Sequence, residues 1–441
     1  MKRKLVFVAL AAAFWLVAPA VSAQGQAPPS PAGSREEAEA AFQRASTLAE
    51  QGQYQQAEVF ARRAVDLAPQ NPPAHNLLGL ISEQLSKALE AEQSYRRALR
   101  LAPQFVEARV NLGRLLLRVG KFADARVELQ PATEAQPEND EAHFLLGFAA
   151  YNLKQWEEAA AALARAADLN PKDAEVHFRL GLVAVELSDH ANAVIELRHA
   201  MEREPQRAEF QFTLGREYSR VGHWQAAADA FQVATKFDAS NALYFLSLGR
   251  ARLFALQAPP ATDAFERAAS LRTNIPDINY LLGMSYELEK NYPKAREYFE
   301  QQLARVPDHL ESQAHLGAVL LEEGRLDEAR ARLQQALARS PDLLPARFDL
   351  ASLLEKQRAW EPAIEAMRRV IALQPEHTQA HYRLSLLYAR TGQRELAQKE
   401  LEEFRLLDEI DKQSQREMNR IRSLRGISAA PETAPPPEPQ P

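Results

Sequence analysis

The chain has 441 residues, 46% hydrophobic and 25% charged, with a formal net charge of −6 and no cysteine. That length exceeds one ordinary compact core and points to several domains or a repeat array, while scarce glycine and abundant Ala, Leu, Glu and Arg favour helix. The missing cysteine excludes disulfides, thiolate metal sites and a cysteine nucleophile, and the acidic balance offers no basic footprint for nucleic acid.

In chain order, Lys2, Arg3 and Lys4 precede the apolar run "LVFVALAAAFWLVAPAV" (Leu5–Val21), and small residues follow to Ala23. This pattern reads as a secretory signal peptide over residues 1–23, cut after Ala23. The run is short for a membrane span and Pro19 interrupts it, so an uncleaved anchor is the alternative reading. The mature chain is accordingly expected to be exported, periplasmic or secreted. "QGQAPPSPAGS" (Gln24–Ser34) is rich in Pro, Ser and Gly, and residues 24–37 are assigned to a disordered linker.

From residue 38 to 411 the sequence repeats every 34 residues without slipping, in eleven frames that start at 38, 72, 106, 140, 174, 208, 242, 276, 310, 344 and 378. The twentieth position is alanine in every frame, from Ala57 and Ala91 to Ala397. The eighth is glycine from Gly79 to Gly317, with Ala45, Ala351 and Ser385 in the outer frames. Leucine dominates the seventh position, glycine recurs at the fifteenth (Gly52, Gly120, Gly222, Gly324, Gly392), and proline recurs at the thirty-second.

Each frame makes physical sense as a helix hairpin. Small or apolar residues at positions 3, 7, 8 and 11 share one face of a first helix, and those at 17, 20, 24 and 27 share one face of a second. Glycine at the eighth position and alanine at the twentieth let the two helices approach closely. Glycine at the fifteenth permits the turn, and proline near the frame's end stops the second helix. One hairpin cannot bury its own apolar faces, so neighbours must stack until a continuous core exists.

This pattern resembles the tetratricopeptide repeat. The resemblance implies an all-α fold, a right-handed α-solenoid of helix hairpins with a concave groove lined mainly by first helices. The fourth position departs from the family pattern, because Arg109, Gln211 and Arg347 stand where a large apolar residue is usual, and a looser core is expected there. Ala239 and Thr273 replace the thirty-second-position proline, and the joints beside them are expected to be the softest of the array. After the last frame, "AQKELEEFRLLDEIDKQSQREMNRIRSL" (Ala397–Leu424) contains neither Gly nor Pro and reads as an extended capping helix, with residues 412–425 as its extension. A weak homodimer through this helix is the sharper alternative. Residues 426–441 form a Pro-rich tail expected to be disordered.

No stretch remains for a catalytic domain. No Gly-rich phosphate loop, G-x-S-x-G elbow or H-E-x-x-H occurs, and neither catalysis, a cofactor nor a metal is expected. His75, His143, His177 and His381 all occupy the fourth position, a whole hairpin apart, and are read as packed structural histidines. "HTQAH" (His377–His381) has i, i+4 spacing, but His377 lies in an inter-repeat turn.

The resemblance places positions 2, 5, 9, 12 and 13 in the groove. The candidate partner-binding residues are therefore Phe144, Phe148, Tyr151, Phe178, Leu182, Phe212, Arg216, Arg250, Tyr280 and Met284. Aromatic and arginine side chains are frequent interface anchors, suited to a segment with apolar side chains and an acidic group. Two specialised members of the family are not matched: no frame has Lys and Asn at positions 5 and 9, and a ladder of Asn at position 6 is represented by Asn111 alone among Gln43, Leu77, Leu145, Arg179 and Thr213. The expected function is a non-catalytic protein-interaction scaffold or adaptor of the cell envelope. The alternative is a polysaccharide-binding accessory of an exopolysaccharide export or synthesis system.

Overall fold

A computed structural model describes residues 31–424, which form twenty-two α-helices and no strand among the described residues. The signal peptide, linker residues 24–30 and the tail from residue 425 lie outside the described residues. The chain divides into two compact units that meet at residues 223 and 224. The first holds α1 (Pro31–Glu50), α2 (Tyr54–Leu67), α3 (Pro72–Gln84), α4 (Ala88–Leu101), α5 (Val106–Arg118), α6 (Phe122–Ala135), α7 (Asp140–Asn152), α8 (Trp156–Leu169), α9 (Ala174–Glu186), α10 (His190–Arg203) and α11 (Ala208–Arg220). The second holds α12 (Trp224–Phe237), α13 (Ala242–Phe254), α14 (Ala258–Leu271), α15 (Ile278–Leu288), α16 (Tyr292–Arg305), α17 (Leu310–Glu322), α18 (Leu326–Arg339), α19 (Leu344–Lys356), α20 (Trp360–Leu373), α21 (Thr378–Arg390) and α22 (Arg394–Leu424). Within each unit, consecutive helices pair as hairpins and every hairpin packs on the next, as in an α-solenoid.

Two structural details explain the hairpin. Every frame takes a positive φ at its fifteenth position. Glycine supplies it in five frames, but Ser86, Lys154, Ser188, Leu256, Lys290 and Arg358 adopt the same conformation, with φ between 58° and 62°. The turn is a Schellman closure: Gly120 N–H donates to Leu117 O at 3.1 Å and Lys121 N–H to Leu116 O at 2.9 Å. In the glycine-free frame 2, Ser86 and Lys87 make the same two bonds, at 3.0 and 2.8 Å. The closure geometry thus fixes the backbone, and non-glycine residues bear a left-handed cost of about 1–2 kcal/mol each.

The second detail refines the expected helix contact. The twentieth-position alanines are fully buried up to Ala363, while Ala397 is half-buried. The eighth-position glycines, however, make room first for position 24. A Cβ on Gly79 would stand 2.5 Å from the Tyr95 ring, one on Gly113 2.5 Å from Leu129 Cγ, and one on Gly283 2.5 Å from the Phe299 ring. In two of the three frames without the glycine, position 24 differs as well, while the third keeps leucine, Ser385 with Leu401. Ala45 is paired in its frame with the small Ala61, and Ala351 with the unbranched Met367.

At Arg109 and Gln211 the fourth position does not loosen the core, and the expectation is corrected there. Arg109 donates from Nη2 to the carbonyl oxygen of Pro103 at 2.8 Å, and Gln211 from Nε2 to that of Pro205 at 3.3 Å. His75, His143, His177, Gln313 and His381 reach Pro69, Pro137, Pro171, Pro307 and Pro375 in the same way, at 2.9–3.2 Å. Each proline carbonyl lies just beyond the end of a second helix, and the side chain six residues later satisfies it. Arg347 instead reaches the Asp342 carboxylate at 3.9 Å. The two frames that follow the missing prolines carry Phe245 and Asn279 at the fourth position.

Those two joints differ. After Ala239 the chain re-enters helix normally, with Asn241 capping the Leu243 N–H at 3.1 Å. After Thr273, α15 starts only at Ile278, preceded by Asp277 at φ 56° and a buried Ile275. Pro276 alone does not account for this, because Pro72 holds the same frame position and α3 starts on it.

At the ends, α1 begins at Pro31, so the linker assigned to 24–37 is already helical from residue 31. Proline fits the first turn of a helix, and the Glu- and Ala-rich residues that follow favour helix over linker. The last helix, α22, runs unbroken from Arg394 to Leu424, and its Phe404 ring meets Tyr382 at 5.1 Å. No helix among the described residues is long and apolar enough to cross a membrane.

Candidate functional site

In the first unit, successive first helices present one row of side chains. Helix α7 carries Phe144 and Phe148 one turn apart, their rings 6.5 Å apart and nearly parallel, and Tyr151 meets Trp156 edge-on at 5.4 Å. Helix α9 adds Phe178 and Leu182, and α11 adds Phe212 and Arg216. Phe144 and Phe178 are only 3% and 2% exposed, and Phe178 stacks on Phe210 at 4.5 Å. Both belong to the core rather than to an open binding face, which corrects their assignment as partner-binding residues. Position 5 lies beside the neighbouring first helix, which covers the Phe144 and Phe178 rings but leaves Phe212 and Tyr280 half-buried and Tyr382 exposed. Phe148, Tyr151, Leu182 and Phe212 are half-buried and Arg216 is exposed.

One residue of this face was not among the sequence candidates. The Arg179 guanidinium lies over the Phe148 ring, 5.0 Å from its centre, and is held by the Glu175 carboxylate at 2.7 Å. Glu175 also takes Arg207 at 2.7 Å, and Arg207 covers the Phe210 ring at 4.2 Å. Cations over aromatic faces are attracted by the ring quadrupole, so the two arginines are fixed in place. The sequence held a signal, since Arg179 stands at the sixth position beside a fifth-position aromatic. Burial raises the Tyr151 hydroxyl above its usual range, helped by Glu186 and opposed by Arg179.

In the second unit Arg250 is exposed, while Tyr280 and Met284 are half-buried. Tyr280 packs among Phe299, His309 and His315, at ring distances of 6.2, 5.0 and 5.7 Å. Burial, reinforced by Glu311, Glu287 and Asp277, pushes its hydroxyl up to about 12. His315 Nδ1 lies 2.8 Å from Glu287 Oε2. Burial works against the charged imidazole, but the Glu287 carboxylate outweighs it and raises His315 above its ordinary value. Burial, with Glu287 adding to it, pushes the Asp349 carboxyl up to about 7, while His315 and Arg383 pull the other way. This part of the face therefore holds titratable groups that the sequence candidates did not include.

His377 caps α21 by accepting the Ala380 N–H at 3.2 Å and stacks on Phe348, so it does not pair with His381 across "HTQAH". His381 Nδ1 lies 2.6 Å from Glu400 Oε2. Chemically, the first-unit row offers half-exposed rings and leucine beside fixed guanidinium groups, a surface for apolar side chains flanked by a carboxylate.

A tetratricopeptide family model described as the C-terminal domain of cilia and flagella-associated protein 70 matches residues 37–279, more than half of the chain. Three tetratricopeptide repeat models match residues 274–342, 320–371 and 348–407. No curated protein matches. Among solved structures, the chain is similar to YrrB, described as a TPR protein with an unusual peptide-binding site, at 18% identity and a TM-score of 0.40, covering 45% of this chain and all of that one. It is similar to PilF of Pseudomonas aeruginosa at 19% identity and a TM-score of 0.43, covering 48% of this chain and 96% of that one. The APC/C hetero-tetramer Cut9–Hcn1 aligns over 82% of this chain and 92% of its own, at 15% identity and a TM-score of 0.44.

Proposed function

The chain belongs to the tetratricopeptide repeat family, and from that premise we propose that it is a non-catalytic scaffold of the cell envelope that holds an extended protein segment along the first-helix face of its first unit. Repeat proteins of this kind serve protein–protein interaction in general. The observation that carries the specific reading is the row formed by Phe148, Tyr151 and Leu182, half-buried with Arg179 fixed over Phe148 and Arg216 exposed nearby in sequence order. Half-buried rings lose little entropy on binding and still have area to bury, and a guanidinium selects a carboxylate through paired hydrogen bonds. The envelope location rests on the basic, then apolar, then small-residue pattern of residues 1–23.

The test is capture from an envelope extract by the untagged mature protein and by a Phe148→Ala/Tyr151→Ala/Arg216→Ala variant. Loss of a specific captured protein with an unchanged melting temperature supports the proposal. An identical captured set refutes it. A glycan array run with the same pair separates the polysaccharide alternative, which requires sugar binding that disappears in the variant.

A further inference from the structure

We propose that His177, Glu196 and His199 form a binding site for one divalent transition metal of the zinc class. His177 Nδ1 lies 2.7 Å from Glu196 Oε2, His199 Nδ1 lies 3.9 Å from the same oxygen, and the three ligand atoms all lie within 4.8 Å of one another. The side chains come from a single hairpin: His177 from α9, Glu196 and His199 one turn apart on α10. The sequence expectation of no metal compared fourth-position histidines across repeats and did not consider ligands from the second helix of the same frame.

The hydrogen bonding of His177 turns its Nδ1 toward the Glu196 carboxylate. Its Nε2 lies 3.1 Å from the Pro171 carbonyl oxygen, which can only accept, so Nε2 carries the hydrogen. In the neutral ring, Nδ1 then presents a lone pair to a carboxylate oxygen at 2.7 Å. Either a proton or a metal ion can join these two atoms, and a metal that binds both takes the proton's place. The same slot recurs elsewhere in the array. In frame 3 the Arg109 guanidinium fills it, joining Pro103 O to Glu128 Oε2 at 3.0 Å. In frame 11, His381 sits between Pro375 O and Glu400, with Glu403 where the fifth frame has His199. No second imidazole stands beside that pair. Frame 5 alone of these three places a second imidazole beside the slot, its ring centre 5.2 Å from that of His177.

The geometry suits a metal. Ligand atoms around a tetrahedral zinc with bonds of about 2.1 Å stand about 3.4 Å apart, and the observed separations bracket that value. His199 is 43% exposed in its side chain and can rotate inward, whereas buried His177 is already oriented. Metal-bound histidines donate their second ring N–H to a carbonyl or carboxylate, which is what His177 does to Pro171. The same carbonyl accepts Arg203 Nε at 2.7 Å, a second group that fixes its position. Two imidazoles and one carboxylate form a donor set that favours zinc-class ions over calcium or magnesium, and three protein ligands leave one coordination position open.

The experiment titrates untagged, chelator-treated protein with Co2+ and then with Zn2+ as competitor, for the wild type and His199→Ala. His199 is the most exposed of the three, so its loss leaves the hairpin folded, and the melting temperature of the metal-free variant verifies this. The expected result is one equivalent of cobalt with the visible absorption of a low-coordinate site, displaced by zinc, and zinc affinity at least about tenfold weaker in His199→Ala. Absence of a stoichiometric cobalt signal in the wild type, or equal zinc affinity in both proteins, overturns the proposal.

Discussion

Gly113→Ala should destabilise the first unit, and the sign of its effect should reverse when Leu129 is also shortened. Alanine gains about 1 kcal/mol over glycine inside a helix. Against this, the new Cβ would stand 2.5 Å from Leu129 Cγ, 2.6 Å from Cδ2 and 3.0 Å from Cδ1. Carbon atoms prefer about 3.5–4.0 Å, so the overlap is about 1 Å and involves the branch atom of the leucine. Leu129 is fully buried and cannot swing aside, and forcing a methyl into such a core costs about 1–3 kcal/mol or more. The overlap therefore outweighs the propensity gain. Leu129→Ala alone costs about 2–5 kcal/mol through its cavity. Adding Gly113→Ala to it should then stabilise, because the methyl enters space already vacated and the propensity term survives. The chain carries this solution in its first frame, as Ala45 with Ala61, and a second one with unbranched methionine, as Ala351 with Met367. The assay is a double-mutant cycle read by urea denaturation, with amide exchange over α5 and α6, because repeat arrays need not unfold as one unit. A stabilising Gly113→Ala in the wild-type background, or the same sign in both backgrounds, would refute the reasoning.

Leu256 holds φ 58° while 74% exposed, so Leu256→Gly should raise stability by about 1 kcal/mol in thermal melting, the reverse of a usual glycine substitution. His75→Phe keeps the ring's shape but strips the Pro69 carbonyl of its donor, and should cost about 1–3 kcal/mol by the same measurement. The Asp349 carboxyl is raised in the folded chain from its ordinary 3.8 to about 7, so its contribution is present below about pH 4 and lost as pH rises through about 7. The melting temperature of Asp349→Asn relative to wild type should accordingly climb between pH 4 and pH 8; a constant difference would contradict this. Mass spectrometry of the exported chain should find Gln24 at its N-terminus if residues 1–23 are a cleaved leader, and Met1 if they are retained.

The hairpins were legible because burial leaves a periodic trace. The twentieth-position alanines and eighth-position glycines record where two helices must cross, and one 34-residue frame places every helix of the array within a few residues. The turn was only half legible. Glycine marks it in five frames, but Leu256 and Lys154 adopt the same backbone because the Schellman bonds fix φ whatever the side chain. The fourth position was misread, since Arg109 and Gln211 look out of place until the carbonyls of Pro103 and Pro205 are seen six residues earlier. The pairing could have been found by reading positions 32 and 4 together, as both change in the frames around Ala239 and Thr273. The partner face was partly legible. Helical position locates a side chain on a face but not its depth, so Phe144 and Phe178 looked equivalent to Phe148 although neighbouring helices cover them. Arg179 became visible only through its place over the Phe148 ring.

Amide exchange of the first unit, measured with and without the captured partner, tests the binding account most directly. Added protection should concentrate on the first helices α7, α9 and α11, and be absent from the second helices α8 and α10. Protection of α8 and α10 with α7, α9 and α11 unchanged would place the partner on the opposite set of helices and contradict the account.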